Sequence, residues 1–223
     1  MRVPRATALN GTSQRYWPLS PLGDLRRLPV TIKILLEGVI RAVATGGASE
    51  RDADALAGYP APAPPGTAVP FRPTRILLQD FTGVPAAVDL AAMRAAMLRA
   101  GKDPGRIEPL IPVDLVIDHS VQADFFGAKD VYERNLEREY ERNRERYALL
   151  RWAQQAFKTF RVVPPGAGIC HQVNLERLST VVQLRKRPEQ PSLVVPCRLG
   201  PGDLGLCDQH LVRISEASPP RIS

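Results

Sequence analysis

Cysteine is scarce. The 223-residue chain has three, Cys170, Cys197 and Cys207, an odd number with no Cys-x-x-Cys pair. That argues against a disulfide framework and against a metal or cluster site built wholly within the chain. Long apolar runs are missing too: none approaches the roughly 20 residues of a membrane span. The first residues, "MRVPRATALNGTSQRYWPL", lack the apolar stretch of a secretory signal, so the expected location is cytoplasmic, with no membrane partner. Acidic charge is in the minority, leaving a formal net charge of +7. A basic balance of this kind admits an anionic partner, either nucleic acid or a polycarboxylate or phosphate metabolite. The arginines, however, are spread along the chain and often interleaved with glutamates, which describes a solvated surface.

What is present suffices for a hydrophobic core, with 44% apolar residues. In "RLPVTIKILLEGVIRAVA" the apolar residues Ile32, Leu35, Leu36, Val39, Ile40 and Val43 recur at three and four, predicting an amphipathic helix that opens at Pro29 and ends at Gly46–Gly47. The Pro-rich "GYPAPAPPGTAVPFRP" reads as a linker. "TRILLQDFTGVPA" reads as a short strand over Ile76 to Leu78, a polar Gln-Asp pair and a Gly-Val-Pro turn; "AVDLAAMRAAMLRAG" reads as a helix. A second apolar run, Leu115 to Ile117, ends at Asp118 and His119. Strand, helix, strand, with polar residues at the strands' carboxyl ends, is the α/β pattern, in which sites gather at strand ends. "DVYERNLEREYERNRERYALLRWAQQAFKTF" is one long helical period, with Leu136, Tyr140, Tyr147, Leu150 and Phe157 near one stripe. Pro164-Pro165-Gly166 precedes Cys170 and His171, near the expected start of a helix through "NLERLSTVV". From Gln183 onward no period is sustained.

An acid and a histidine side by side at a strand end can hold an imidazole in one tautomer and tune its pKa near working pH. The same dipeptide also occurs in ordinary loops, and residue types alone do not choose between the two.

Three of these stretches together, "RILLQDFTGVPAAVDLAAMR", "PVDLVIDHSVQADFFG" and "ERNRERYALLRWAQQAFKTFRVVPPGAGICHQVNLE", resemble the amino-terminal region of the aconitate hydratases, in the branch of bacterial aconitase A and the iron-regulatory proteins. The resemblance covers most of residues 28 to 182. It implies an α/β fold, part of a three-layer α/β/α first domain, and the interconversion of citrate and isocitrate through cis-aconitate in the tricarboxylic acid cycle. It implies a 4Fe-4S cluster whose iron acts as Lewis acid on a tricarboxylate substrate. Gln79 matches a glutamine that hydrogen-bonds a substrate carboxylate; Asp118 and His119 match an acid-histidine pair that helps protonate the leaving hydroxyl; His171 matches a second active-site histidine. The family's three cluster cysteines and its GTDSH motif have no counterpart among these stretches, and Cys197 and Cys207 sit in another context.

The expected organisation is therefore an N-terminal helix and linker over 1–72, an aconitase-like core over 73–182, and a tail over 183–223 that is disordered or out of frame. As this chain alone it is expected to be inactive. Two further readings follow from the same branch: an RNA-binding regulatory module, and a 2-methylisocitrate dehydratase-type fragment. A separate chain carrying the missing regions is a further expected partner.

Overall fold

The computed structural model describes residues 3–61, 68–117, 121–187, 190–201 and 212–214. In chain order the elements are β1 (Thr7–Ala8), β2 (Arg15–Tyr16), α1 (Val30–Val43), α2 (Glu50–Ala57), β3 (Arg75–Gln79), α3 (Asp80–Arg99), β4 (Ile107–Pro109), β5 (Val113–Val116), α4 (Val131–Arg142), α5 (Arg144–Ala156), β6 (Phe160–Val163) and α6 (Cys170–Val173). There follow a π-helical turn over Asn174–Leu178 and the strands β7 (Val182–Arg187), β8 (Gln190–Pro196), β9 (Leu199–Pro201) and β10 (Val212–Ile214). The chain divides into two compact units, Met1–Thr74 with Thr180–Arg198, and Arg75–Ser179 with Leu199–Ser223.

In the first unit, α1 buries Leu36, Val39 and Ile40 against Leu28, Ala53 and Leu56, with Ile32, Leu35 and Val43 partly covered. The apolar period of the sequence thus becomes the buried stripe. Helix α2 begins with a capping box: the Ser49 side chain accepts from the Asp52 N–H, and the Asp52 carboxylate accepts from the Ser49 N–H. The sheet of this unit runs β1-β2-β8-β7. Strands β7 and β8 pair antiparallel from Val182↔Pro196 to Arg187↔Gln190, and Leu193 and Val195 are buried. Within the stretch over 183–223, expected to be disordered or out of frame, the described residues 183–187 and 190–196 are strand. Pro191 and Pro196 speak against a central strand in the sequence, yet they stand near the ends of β8 and leave an alternating apolar run between them.

Residue 198 is tied down further. Thr74 N–H donates to the Arg198 carbonyl (2.8 Å), and Arg198 N–H donates to the Thr74 hydroxyl (2.7 Å). The Arg198 guanidinium is buried, with Nη1 donating to Glu37 Oε2 (2.7 Å) and Nε to the Arg72 carbonyl (3.0 Å).

The second unit is built on a four-stranded sheet, order β6-β5-β3-β9, parallel at every pairing. Alternate residues of a strand face opposite sides. Ile76, Leu78, Val113, Leu115 and Phe160 pack with Ala87 and Leu90 of α3 and Leu150 and Ala153 of α5. Leu77 and Val116 pack with Cys170 and Val173 of α6, beside Val163, Leu178 and Leu199. Helices on both faces make this a three-layer α/β/α arrangement, and burial on both faces explains why β3 and β5 read as near-continuous apolar runs.

Two local expectations change. The Gly-Val-Pro segment is not a turn: α3 starts at Asp80, directly after β3, and runs through Pro85. A Cβ on Gly83 would come within 2.4 Å of Leu115 Cδ1. The glycine therefore serves close approach of helix and strand rather than a change of direction. Replacing Gly83 with alanine is expected to cost about 1–3 kcal/mol by overpacking, measurable as a lower urea midpoint. The long charged period is two helices, broken at Asn143, whose amide donates to Glu139 Oε1 (2.8 Å). Its buried face also differs from the apolar stripe expected. Tyr140 is exposed, while Asn135 and Glu139 are buried, Glu139 accepting from the Tyr147 hydroxyl (2.5 Å). Burial, then that bond to a carboxylate, pushes the Tyr147 phenol above its ordinary range and keeps it a donor.

Candidate functional site

Because all four strands of the second sheet are parallel, the carboxyl ends of β3, β5 and β6 lie along one edge. The register makes this specific: Gln79 pairs with Val116, and Val116 pairs with Val163. Crevices outside such strand ends are where open α/β sheets hold ligands. Gln79 is the last residue of β3 and immediately precedes α3, its side chain making no capping bond to that helix, and it is half-buried. Next to it, the buried Asp80 carboxylate stands at the amino end of α3, where negative charge is favoured, and pairs with Arg146 of α5 (3.1 Å).

Asp118 and His119, two and three residues beyond the end of β5, lie outside the described residues. The segment after them is held by α4. The Asn135 amide accepts from Phe125 N–H (2.9 Å) and donates to the Phe125 carbonyl (3.0 Å), while Arg142 Nη2 donates to both carboxylate oxygens of Asp124 (2.9 Å each). Truncating Asn135 to alanine leaves that backbone pair unmatched. The expected loss is about 1–3 kcal/mol, with hydrogen exchange at Phe125 accelerating more than exchange in the sheet.

His171 lies in α6, with its backbone in the short helix that follows the turn containing Gly166 and Gly168. Both glycines have positive φ, +81° and +123°, which side-chain-bearing residues rarely adopt. The helix passes into the π-helical turn at Asn174 rather than continuing through "STVV". The described structure thus puts Gln79 at the edge of the sheet, on the face that α6 covers.

Sequence reasoning missed a buried polar group on the same sheet face as Gln79, toward the amino end of β3. Asp114 of β5 accepts from Arg75 Nη1 of β3 (2.5 Å) and from Arg161 Nε of β6 (2.7 Å), and Arg75 Nη2 donates to the Asn174 side-chain oxygen. Arg75, Asp114 and Asn174 are all buried. The available signal was a charged residue interrupting an apolar run, as in "PVDLVI": such a residue in a doubly covered strand requires a partner.

Comparison with known proteins now fixes the class. Residues 57–199 match the model of the aconitase family (aconitate hydratase), and the chain belongs to that family. Among its relatives, the aconitate hydratase A of Pseudomonas aeruginosa is 51% identical over 186 residues, covering 82% of this chain and 20% of the relative. That of Deinococcus radiodurans is 57% identical over 162 residues, and that of Escherichia coli 54% over 161. These cover 73% and 72% of this chain and 18% of each relative. The chain spans about a fifth of the length of these relatives.

The described thiols do not fit a 4Fe-4S cluster. Cys170 is fully buried among apolar side chains of the sheet unit; Cys197 belongs to the other unit, where its sulfur accepts from Gln183 Nε2 (3.7 Å). Among the described residues no group of three or more His, Cys, Asp or Glu could hold a metal ion. No helix among them is long and apolar enough to cross a membrane.

Proposed function

We propose that this chain supplies one wall of the tricarboxylate pocket of an aconitate hydratase, which interconverts citrate and isocitrate. The Gln79 amide donates to a substrate carboxylate. Asp118 orients the His119 imidazole, which delivers a proton to the leaving hydroxyl, and His171 contributes a second imidazole. What supports this reading is the register row Gln79–Val116–Val163: the three segments carrying these residues leave one parallel sheet at a shared edge. A proton donor for a hydroxyl must work near neutral pH, which suits an imidazole held by a carboxylate.

The test is a chimera in which residues 57–199 replace the matching segment of the Pseudomonas aeruginosa relative. The expected result is retained hydration of cis-aconitate, followed at 240 nm. In that background Gln79→Ala is expected to lower kcat/KM about 10- to 100-fold, the loss of a hydrogen bond to a charged group. His119→Asn is expected to lower kcat about 10²- to 10⁴-fold, the worth of a general acid. A folded, cluster-loaded chimera in which both substitutions leave kcat/KM unchanged would sink the proposal.

A further inference from the structure

A guanidinium buried against a parallel sheet is costly unless it is paired and hydrogen-bonded. Arg75 stands at the first position of β3, whose last position is Gln79. Its fork spans two acceptors on different elements, the Asp114 carboxylate on β5 and the Asn174 amide oxygen on the π-helical turn. Asn174 is three residues beyond His171 in the same helical segment. A π-helical turn departs from regular α-helical hydrogen bonding, so its seat on the sheet depends on what its side chains grip. The apolar contacts of Cys170 and Val173 with Leu77 and Val116 supply one part of that grip. Arg75–Asn174 supplies the directional part.

We infer that Arg75, held in place by Asp114, is a positioning residue: through Asn174 it seats the 170–178 segment on the sheet face that ends at Gln79, and so fixes the backbone that carries His171. The inference rests on the reading of Gln79 and His171 as pocket residues. Arginine is required because a planar fork can bridge two acceptors at set angles, whereas a lysine ammonium is a single point charge on a flexible stem.

The experiment uses the full 223-residue chain and two native-state readouts. One is alkylation of the buried Cys170 thiol by iodoacetamide, located by mass spectrometry. The other is the ring signal of His171 in proton–carbon NMR, assigned by its loss in His171→Gln. Asn174→Ala and Arg75→Lys are each expected to raise Cys170 alkylation about ten-fold or more through local opening, at a rate indifferent to low urea, and to shift the His171 signal. Asn174→Asp keeps an acceptor opposite Arg75, and protection is expected to stay within about two-fold of the parent.

The inference is overturned if Asn174→Ala leaves Cys170 protected. It is equally overturned if protection falls only in step with global unfolding as urea rises, or if Asn174→Asp behaves like the alanine variant. Failure of the pocket reading would look different: the thiol and imidazole readouts would respond as stated, while substitutions at Gln79 and His119 left the chimera's kinetics untouched.

Discussion

Asp114→Ala is expected to lower the stability of the sheet unit by about 3–5 kcal/mol, because it leaves the buried Arg75 guanidinium without its counter-charge. Asp114 is the only described carboxylate bonded to Arg75, and it also holds Arg161. Arg161 reaches solvent and can rehydrate, so the cost falls on Arg75. Asp114→Asn keeps shape and one acceptor, and should cost less than the alanine variant. The measurement is urea unfolding followed at Trp152, which lies in α5 of the same unit and packs edge-on against Phe157. A loss below about 1 kcal/mol for Asp114→Ala would mean that the pair contributes no more than an exposed one.

The second large effect concerns Glu37 and Arg198. Arg198→Met is expected to cost about 3–5 kcal/mol, since it takes the hydrogen-bonded counter-charge from a buried carboxylate that then keeps, among the described ion pairs, only Arg41, 3.5 Å away, whereas Glu37→Met with Arg198→Met removes both charges of the closer pair and should recover much of that loss. Acidity gives an independent check. Burial raises the Glu37 carboxyl above its ordinary range, opposed by the nearby Arg198 charge and its hydrogen bond and, more weakly, by Arg185. The folded chain therefore takes up this proton at a higher pH than the unfolded chain. Stability from this group rises as pH falls from the folded-state value to the ordinary glutamate value, and changes no further below it. In Arg198→Met the two largest opposing effects vanish, so the rise should begin at higher pH and be larger. In Glu37→Gln it should disappear. Urea midpoints across a pH series, read at Trp17 beside the α1 cluster, decide between these outcomes.

The sequence spoke clearly where periodicity and burial coincide. The spacing of Leu36, Val39 and Ile40 is the buried stripe of α1, and the runs at Ile76–Leu78 and Leu115–Val116 lie in strands buried on both faces. It misled where one residue type serves two purposes. Gly83 looks like a turn residue but makes room for Leu115, and Pro191 and Pro196 look like breakers but sit near the ends of β8. Short elements escaped notice: β6 has four residues, and α2 was signalled only by the Ser49–Asp52 box. Within the candidate site, the position of Gln79 at a strand end was legible. The grip of Arg75 on Asn174 was not, because partners 99 residues apart in sequence meet only through sheet register. An arginine counted in a composition looks solvated; a partner across the sheet is what permits it to be buried.

Parallel pairing of β3 with β9 has a consequence for how the chain is made. Thr74 and Arg198, which clasp each other just before those strands begin, are 124 residues apart in sequence. During synthesis β3 therefore emerges long before its outer neighbour, with one row of backbone donors and acceptors unpaired beside Ile76 and Leu77. Such an edge is a template for intermolecular strand addition, and distant pairing of this kind is slow to form. A ribosome that stalls, or a protease that cuts, ahead of residue 199 would release a polypeptide prone to aggregate through β3, so solubility is where such truncation would first be noticed.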